Sequence, residues 1–140
     1  MIDFVRMREL MKNEERLRWA VIRQEARATR ITTTISDMPK GQPANSREEV
    51  MIELAERRET YHALCEELKK RRAQLKPQIR KLKNRTQREA IRMRYMKGMS
   101  VNEISSELGY CTRQTYNLLA AGESLINQGL TARKQHRNIS

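Results

Sequence analysis

The sequence predicts an all-α fold in two parts: an N-terminal antiparallel helical hairpin of coiled-coil type, then a C-terminal helix-turn-helix domain. Apolar residues recur at three- and four-residue spacing over about 4–30 and again over about 47–83. A stretch holding Pro39, Gly41 and Pro43 separates the two, and residues 87–119 divide into three short amphipathic segments joined by glycine-containing turns. The expected domains are a hairpin over 1–83, a helix-turn-helix domain over 84–126 and a basic tail over 127–140.

In the first helix, Met7, Leu10, Leu17, Val21, Ala28 and Ile31 lie near a heptad seam that Glu14 and Gln24 interrupt. Trp19, the only tryptophan, falls on the polar-leaning side, where it either packs as an anchor or meets a partner. Residues 31–46, ITTTISDMPKGQPANS, combine β-branched threonines with proline and glycine and are expected to form the connecting loop. Ser46 with Glu49 forms a capping box for the second helix, along which Val50, Leu54, Tyr61, Leu64, Leu68, Leu75 and Leu82 keep a seven-residue rhythm. Pro77 has no amide to donate, and its ring opposes the carbonyl of the preceding turn, so a kink or break is expected near Lys76. A break would make Pro77 the first residue of a new helix and detach Ile79 and Leu82 as a separate apolar patch. Two helices that bury one stripe each are marginal alone, so a homodimer through the hairpin is expected.

In the C-terminal part, Ser100 followed by Glu103 is a second capping box and starts a helix near Val101. Val101, Ile104 and Leu108 share a face, and Gly109 stands where a left-handed cap needs a residue without Cβ. A helix over 112–119 follows, with Thr115, Leu118 and Leu119 inward and Thr112, Arg113, Gln114, Tyr116 and Asn117 outward. This outward set suits the major groove of double-stranded DNA, because Arg can take guanine, and Gln and Asn adenine, through paired hydrogen bonds. Thr112, Arg113, Gln114 and Asn117 are the expected base contacts. Arg85, Arg88, Arg92, Arg94, Lys97, Ser100 and Tyr116 are the expected phosphate contacts.

Charge supports the same partner. Of 29 Lys/Arg and 17 Asp/Glu, residues 69–97 hold 13 basic side chains against the single Glu89, so this segment carries the whole net +12 and the rest balances at 16 of each. A basic run beside such a unit adds sequence-independent, salt-sensitive attraction to phosphates. With 38% hydrophobic and 4% aromatic residues, little is available for a large core.

Other functions find no residues to carry them. Cys65 and Cys111 are far apart and, with His62 and His136, form no metal-ligand pattern, so neither disulfide, metal nor cofactor is expected. There is no Ser/His/Asp set, no phosphate-cradling glycine loop and no HExxH, and the adjacent pairs Glu14-Glu15, Glu48-Glu49 and Glu66-Glu67 diverge around their helices. No enzyme is expected. No apolar run reaches a membrane span, and the first 30 residues mix both charge signs, unlike a signal peptide. A cytoplasmic location in a host bacterial cell is the expectation.

The segment REAIRMRYMKGMSVNEISSELGYCTRQTYNLL, about a quarter of the chain, resembles region four of the sigma-70 family of transcription initiation factors. That region typically has an Arg-Met-Arg-aromatic helix, a Glu-Glu-Ile helix, Gly-x-Ser/Thr and a recognition helix. Taken whole, with SDMPKG before a heptad helix, the chain is similar to phage- and prophage-encoded sigma-70 region four-like proteins, related in organisation to the RinA and ArpU late-transcription regulators. The resemblance implies that Arg88, Arg92 and Arg94 lie near phosphates or the surface of host RNA polymerase, and that Thr112, Arg113, Gln114 and Asn117 take promoter-reading positions. Cys111, Thr115 and Tyr116 depart from the pattern, and Thr112 is a second candidate for the cap of the recognition helix. The hairpin contains nothing like a region that opens a promoter, so a stand-alone sigma factor is not expected. A sequence-specific transcriptional regulator is the first reading. The alternatives are an oligomeric DNA-packaging protein like a small terminase subunit, and a polymerase-binding module that reads no bases.

Overall fold

The computed structural model describes residues 1–35 and 45–139, with side chains placed over 1–30 and 47–132. The described residues are all-α, without a strand: α1 (Phe4–Ile35), α2 (Asn45–Arg80), α3 (Arg85–Ile91) running into a π-helical turn (Arg92–Met96), α4 (Val101–Leu108) and α5 (Thr112–Ile139). The chain forms two compact units, one of Leu10–Glu67 and one of Met1–Glu9 with Leu68–Ser140. The units therefore divide inside α1 and α2 and not near residue 83.

Several boundaries differ from the sequence reading for identifiable reasons. α1 continues to Ile35, five residues into the expected loop. β-Branched residues cost only tenths of a kcal/mol in a helix already nucleated, on the order of 0.5 each. The stronger breakers, Pro39, Gly41 and Pro43, lie in 36–44, outside the described residues, as does the side chain of Ser46 on which the first capping box rests. α2 passes through Pro77 without a break and ends at Arg80 instead of about 83. Ala73 and Pro77 are both exposed, so the carbonyl opposite the proline ring can turn to water, while Leu75, Ile79 and Leu82 on the other side are buried. The helix then tightens, with Lys81 N–H bonding Gln78 O and Leu82 N–H bonding Ile79 O. The recognition helix expected over 112–119 is only the start of α5, and the expected basic tail is helical through Ile139. Trp19 is half exposed and does not anchor the core.

In the unit of Leu10–Glu67, Leu10, Val21, Val50 and Leu54 are buried, and both polar interruptions of the seam are paired. Glu14 accepts from the Tyr61 hydroxyl at 3.0 Å. Partial burial, then Cys65 and Glu14, push that hydroxyl's pKa up to about 12. Gln24, itself buried, donates to Val50 O at 3.4 Å and Glu53 Oε2 at 3.2 Å and accepts from Arg57. Polar groups matched this way set which residues face each other, because any other register would strand them without partners.

The other unit gathers Phe4, Met7, Leu68, Leu75, Ile79, Leu82, Ile91, Tyr95, Ile104, Leu119 and Ile126 into its core. Tyr95 is fully buried, with its ring 5.1 Å from that of Phe4. Its hydroxyl accepts from Arg8 Nη1 at 2.8 Å and donates to the Glu123 carboxylate, which Arg8 also reaches at 3.0 Å. Arg72 Nε donates to the Tyr95 carbonyl at 2.8 Å, satisfying a group that the helix end leaves open. The Asn127 side chain bonds both the amide and the carbonyl of Ile2. α5 approaches α3 closely at Gly122, where a Cβ would stand 2.9 Å from Ile91 Cγ1 and 3.1 Å from its Cδ1.

Three outcomes follow for stability. Gly122→Ala gains about 1 kcal/mol of helix propensity but overpacks a fully buried Ile91 at a cost of about 1–3 kcal/mol, a net loss of up to about 2 kcal/mol in urea unfolding. Gly129→Ala, with open space at its Cβ, should instead stabilise by about 1 kcal/mol. Burial, and then Glu123, raise the pKa of the Tyr95 hydroxyl, with Arg8 opposing. A raised folded pKa means that this stabilisation is complete below the unfolded value of about 10 and declines as pH climbs above it. Urea midpoints measured from neutral to alkaline pH should fall above about 10, and less steeply in Tyr95→Phe.

Candidate nucleic-acid interface

Each turn that positions the candidate residues is fixed locally. Asn84 caps α3, its side chain accepting from Thr86 N at 2.9 Å and Gln87 N at 3.2 Å. Gly98 adopts φ 69° after the π-helical turn, and Met99 N–H returns to Met93 O at 3.0 Å, a closure one residue wider than the 6→1 bond that ends an α-helix. Arg94 Nη1 fastens the same turn by donating to Met99 O at 3.0 Å. Ser100 caps α4 by accepting from Glu103 N at 3.2 Å. The reciprocal arm of this box differs from expectation, because the Glu103 carboxylate accepts from the Ser100 hydroxyl. Gly109, at φ 73°, ends α4, with its own amide and that of Tyr110 both on Ser105 O.

α5 begins at Thr112, and the Cys111 carbonyl accepts the first helical bond, from Thr115 N at 3.1 Å. Cys111 therefore occupies the cap position, and Thr112 does not take it over. The amide oxygen of Gln114 accepts from Cys111 N–H at 3.2 Å, which closes the helix start from the side chain. Thr115 is fully buried despite its hydroxyl. Its Oγ1 lies 2.8 Å from Ser105 Oγ and 3.1 Å from Cys111 O, and Ser105 Oγ lies 2.8 Å from Val101 O. Two hydroxyl protons serve these three contacts, so the pair joins α4 to α5 in either of two proton arrangements.

The residues expected to read bases, Thr112, Arg113, Gln114 and Asn117, are all exposed, as is Tyr116, while Thr115 and Leu119 between them are buried and Leu118 is half-buried. The residues expected at phosphates separate into two groups. Arg85, Lys97 and Ser100 are exposed and Arg88 is half-buried. Arg92 pairs with Glu89 at 2.9 Å along the helix surface, and Arg94 donates one bond to the Met99 carbonyl. Two clefts, of about 650 and 620 Å³, open elsewhere on this unit, and none of residues 112–117 lines either. Among the described residues no group of His, Cys, Asp and Glu is arranged to hold a metal ion, and no helix is long and apolar enough to cross a membrane.

Asn84 and Gly122 were not singled out in the sequence. The signal for Asn84 was present, since Asn with Gln three positions on is a cap pattern; Gly122 has a helical neighbour on each side and advertises nothing.

A family model described as Protein of unknown function (DUF1492) matches residues 30–127, well over half of the chain. The chain belongs to the DUF1492 family. No curated protein and no solved structure matches it. The DUF1492 match takes in all of α2, α3 and α4 and follows α5 to Asn127, so every turn described above lies inside it. Most of α1, including Phe4 and Arg8, precedes the DUF1492 boundary.

The hydroxyl pair supplies a test of how α4 and α5 are held. Ser105→Ala and Thr115→Val should each cost about 1–2 kcal/mol in chemical unfolding, because each leaves the other hydroxyl with fewer partners. The double variant should cost clearly less than the two together, and additive losses would mean that the hydroxyls act independently.

Proposed function

We propose that this chain is a sequence-specific DNA-binding transcriptional regulator of phage or prophage type. In this reading α4, the Gly109 turn and the start of α5 form a helix-turn-helix of the sigma-70 region four kind, and α1 with α2 forms the helical hairpin. The observation that carries it is the pattern on α5. Thr112, Arg113, Gln114, Tyr116 and Asn117 all reach solvent, while Thr115 between them is fully buried against Ser105 of α4. A rigid helix start presenting donors and acceptors is what insertion into a major groove requires. Net charge supports the reading: Arg85 and Lys97, expected at phosphates, are exposed, as are Lys69, Lys70, Lys81 and Lys83 of the same basic segment. We read the chain as non-enzymatic and without a cofactor.

Two partners besides duplex DNA belong to the proposal. Exposed Ile22 and Met51, with half-buried Leu17, Tyr61 and Leu64, leave apolar surface on the unit of Leu10–Glu67, which supports a homodimer through the hairpin. The region four resemblance supports host RNA polymerase as the other.

A footprint on the DNA flanking the chain's own gene, followed by gel-shift titration of the protected duplex, tests this reading. Arg113→Ala should lower affinity for that duplex by about ten- to a hundredfold while leaving nonspecific binding nearly intact. Arg85→Ala and Lys97→Ala should weaken all duplexes alike and each reduce the salt slope by about 1. Retention indifferent to Arg113 would favour a polymerase-binding module, and a solution mass of many subunits would favour a packaging protein.

A further inference from the structure

We propose that the cleft of about 650 Å³ between the α2–α3 corner and α5 binds an amphiphilic carboxylate, an acyl chain with one anionic head, at one site per chain. Its floor is apolar: Leu82 and Ile126 are buried, and Leu125 stands exposed beside them. Gly129 also lines it, and a Cβ there would meet nothing within 4 Å, so no side chain fills this part of the wall. An acyl chain suits such a surface, because each methylene buried contributes about 0.8 kcal/mol.

Charge at the mouth selects the head group. Lys81 and Lys83 line the same cleft and are exposed. No acidic residue lines it, and the sequence has neither Asp nor Glu from 68 to 88. The Asn84 side-chain oxygen already accepts from Thr86 N and Gln87 N, which takes up both its lone pairs. A carboxylate brings several accepting positions and one negative charge to two ammonium groups, whereas a cationic head would meet two like charges. The cleft of about 620 Å³ at the start of α1 lacks this polarity, since Asp3 and Glu123 line it and its Arg8 is bonded to Tyr95 and Glu123.

Size decides between a small molecule and a partner helix. The volume falls in the range of about 300–1,000 Å³ that holds a drug-sized ligand. The α5 residues at the cleft run only from Leu125 to Gly129, about 6 Å along the axis at 1.5 Å per residue. A docked helix sets its anchors over two turns, at i, i+4 and i+7, and a wall of about one turn is too short to take them. None of residues 112–117 lines the cleft, so the site is separate from the candidate interface and stands without the DNA-binding reading.

The experiment titrates the full chain by calorimetry with decanoate below its micelle concentration. Decyltrimethylammonium supplies the same chain under a positive head, and acetate supplies the head alone. Decanoate should bind saturably, one per chain, about tenfold or more tightly than either, and should raise the thermal midpoint. Lys81→Ala combined with Lys83→Ala should weaken decanoate about three- to thirtyfold and improve the cation. Leu125→Glu should also weaken decanoate, by setting a carboxylate at the mouth. All three positions are exposed, so the unliganded midpoint should stay in place. Uptake of decanoate without saturation, a cation bound as tightly as decanoate, or an affinity unchanged in either variant would each overturn the assignment.

Discussion

The unit that carries the candidate interface depends on Tyr95. Its ring meets Phe4 at the start of α1, its hydroxyl joins Arg8 of α1 to Glu123 of α5, and its carbonyl receives Arg72 of α2. One buried residue on the π-helical turn thus bonds three helices, two through its side chain and one through its carbonyl. The buried hydroxyl accepts from the guanidinium and donates to the carboxylate, so removing either partner leaves it one hydrogen bond short. The π-helical turn itself fits this account: such turns are rare, and the one among the described residues carries the residue all three helices bond.

From that node the geometry of α4 and α5 follows in steps. α5 is held at Glu123 by Arg8 and Tyr95, and at Gly122 by contact with Ile91 of α3. α4 is held to the start of α5 by Ser105 and Thr115. The exposed residues of α5 therefore stand on a helix braced at two levels, and the side chains expected at bases come from its rigid first turns and not from a loop. Arg92 and Arg94 pull the other way. Two of the basic residues that composition alone would assign to phosphates also bond within the fold, Arg92 to Glu89 and Arg94 to the Met99 carbonyl.

What was legible in the sequence was local. Ser100 at the cap of α4 and Gly109 at its left-handed end follow from requirements within five residues, and the inward Thr115 and Leu119 follow from helical spacing. Glu14 and Gln24 were visible as interruptions of a seam, but their partners Tyr61, Val50 and Glu53 are set by which residues of α2 face them, which no local pattern states. The Tyr95 node was out of reach for the same reason, since Arg8, Arg72 and Glu123 are distant in sequence and each reads alone as a solvated charge. The extension of α1 over Ile31–Ile35 and the unbroken helix at Pro77 have another origin. Local propensity was weighed as if a helix had to be built at those residues, whereas one already formed only had to be extended or kept. Gly122 escaped notice because its role is an absence of atoms opposite Ile91.

The bond between Ile2 and Asn127 has a consequence for how the chain is made. Phe4 and Met7 leave the ribosome well before residues 68–127, which share the unit that buries them. Leu10–Glu67 completes its own pairings while that apolar N-terminal turn waits uncovered. Until residues 68–127 have been made, that face of α1 is a site where a nascent chain can meet a chaperone or another copy of itself, and the unit closes only after Asn127 has emerged.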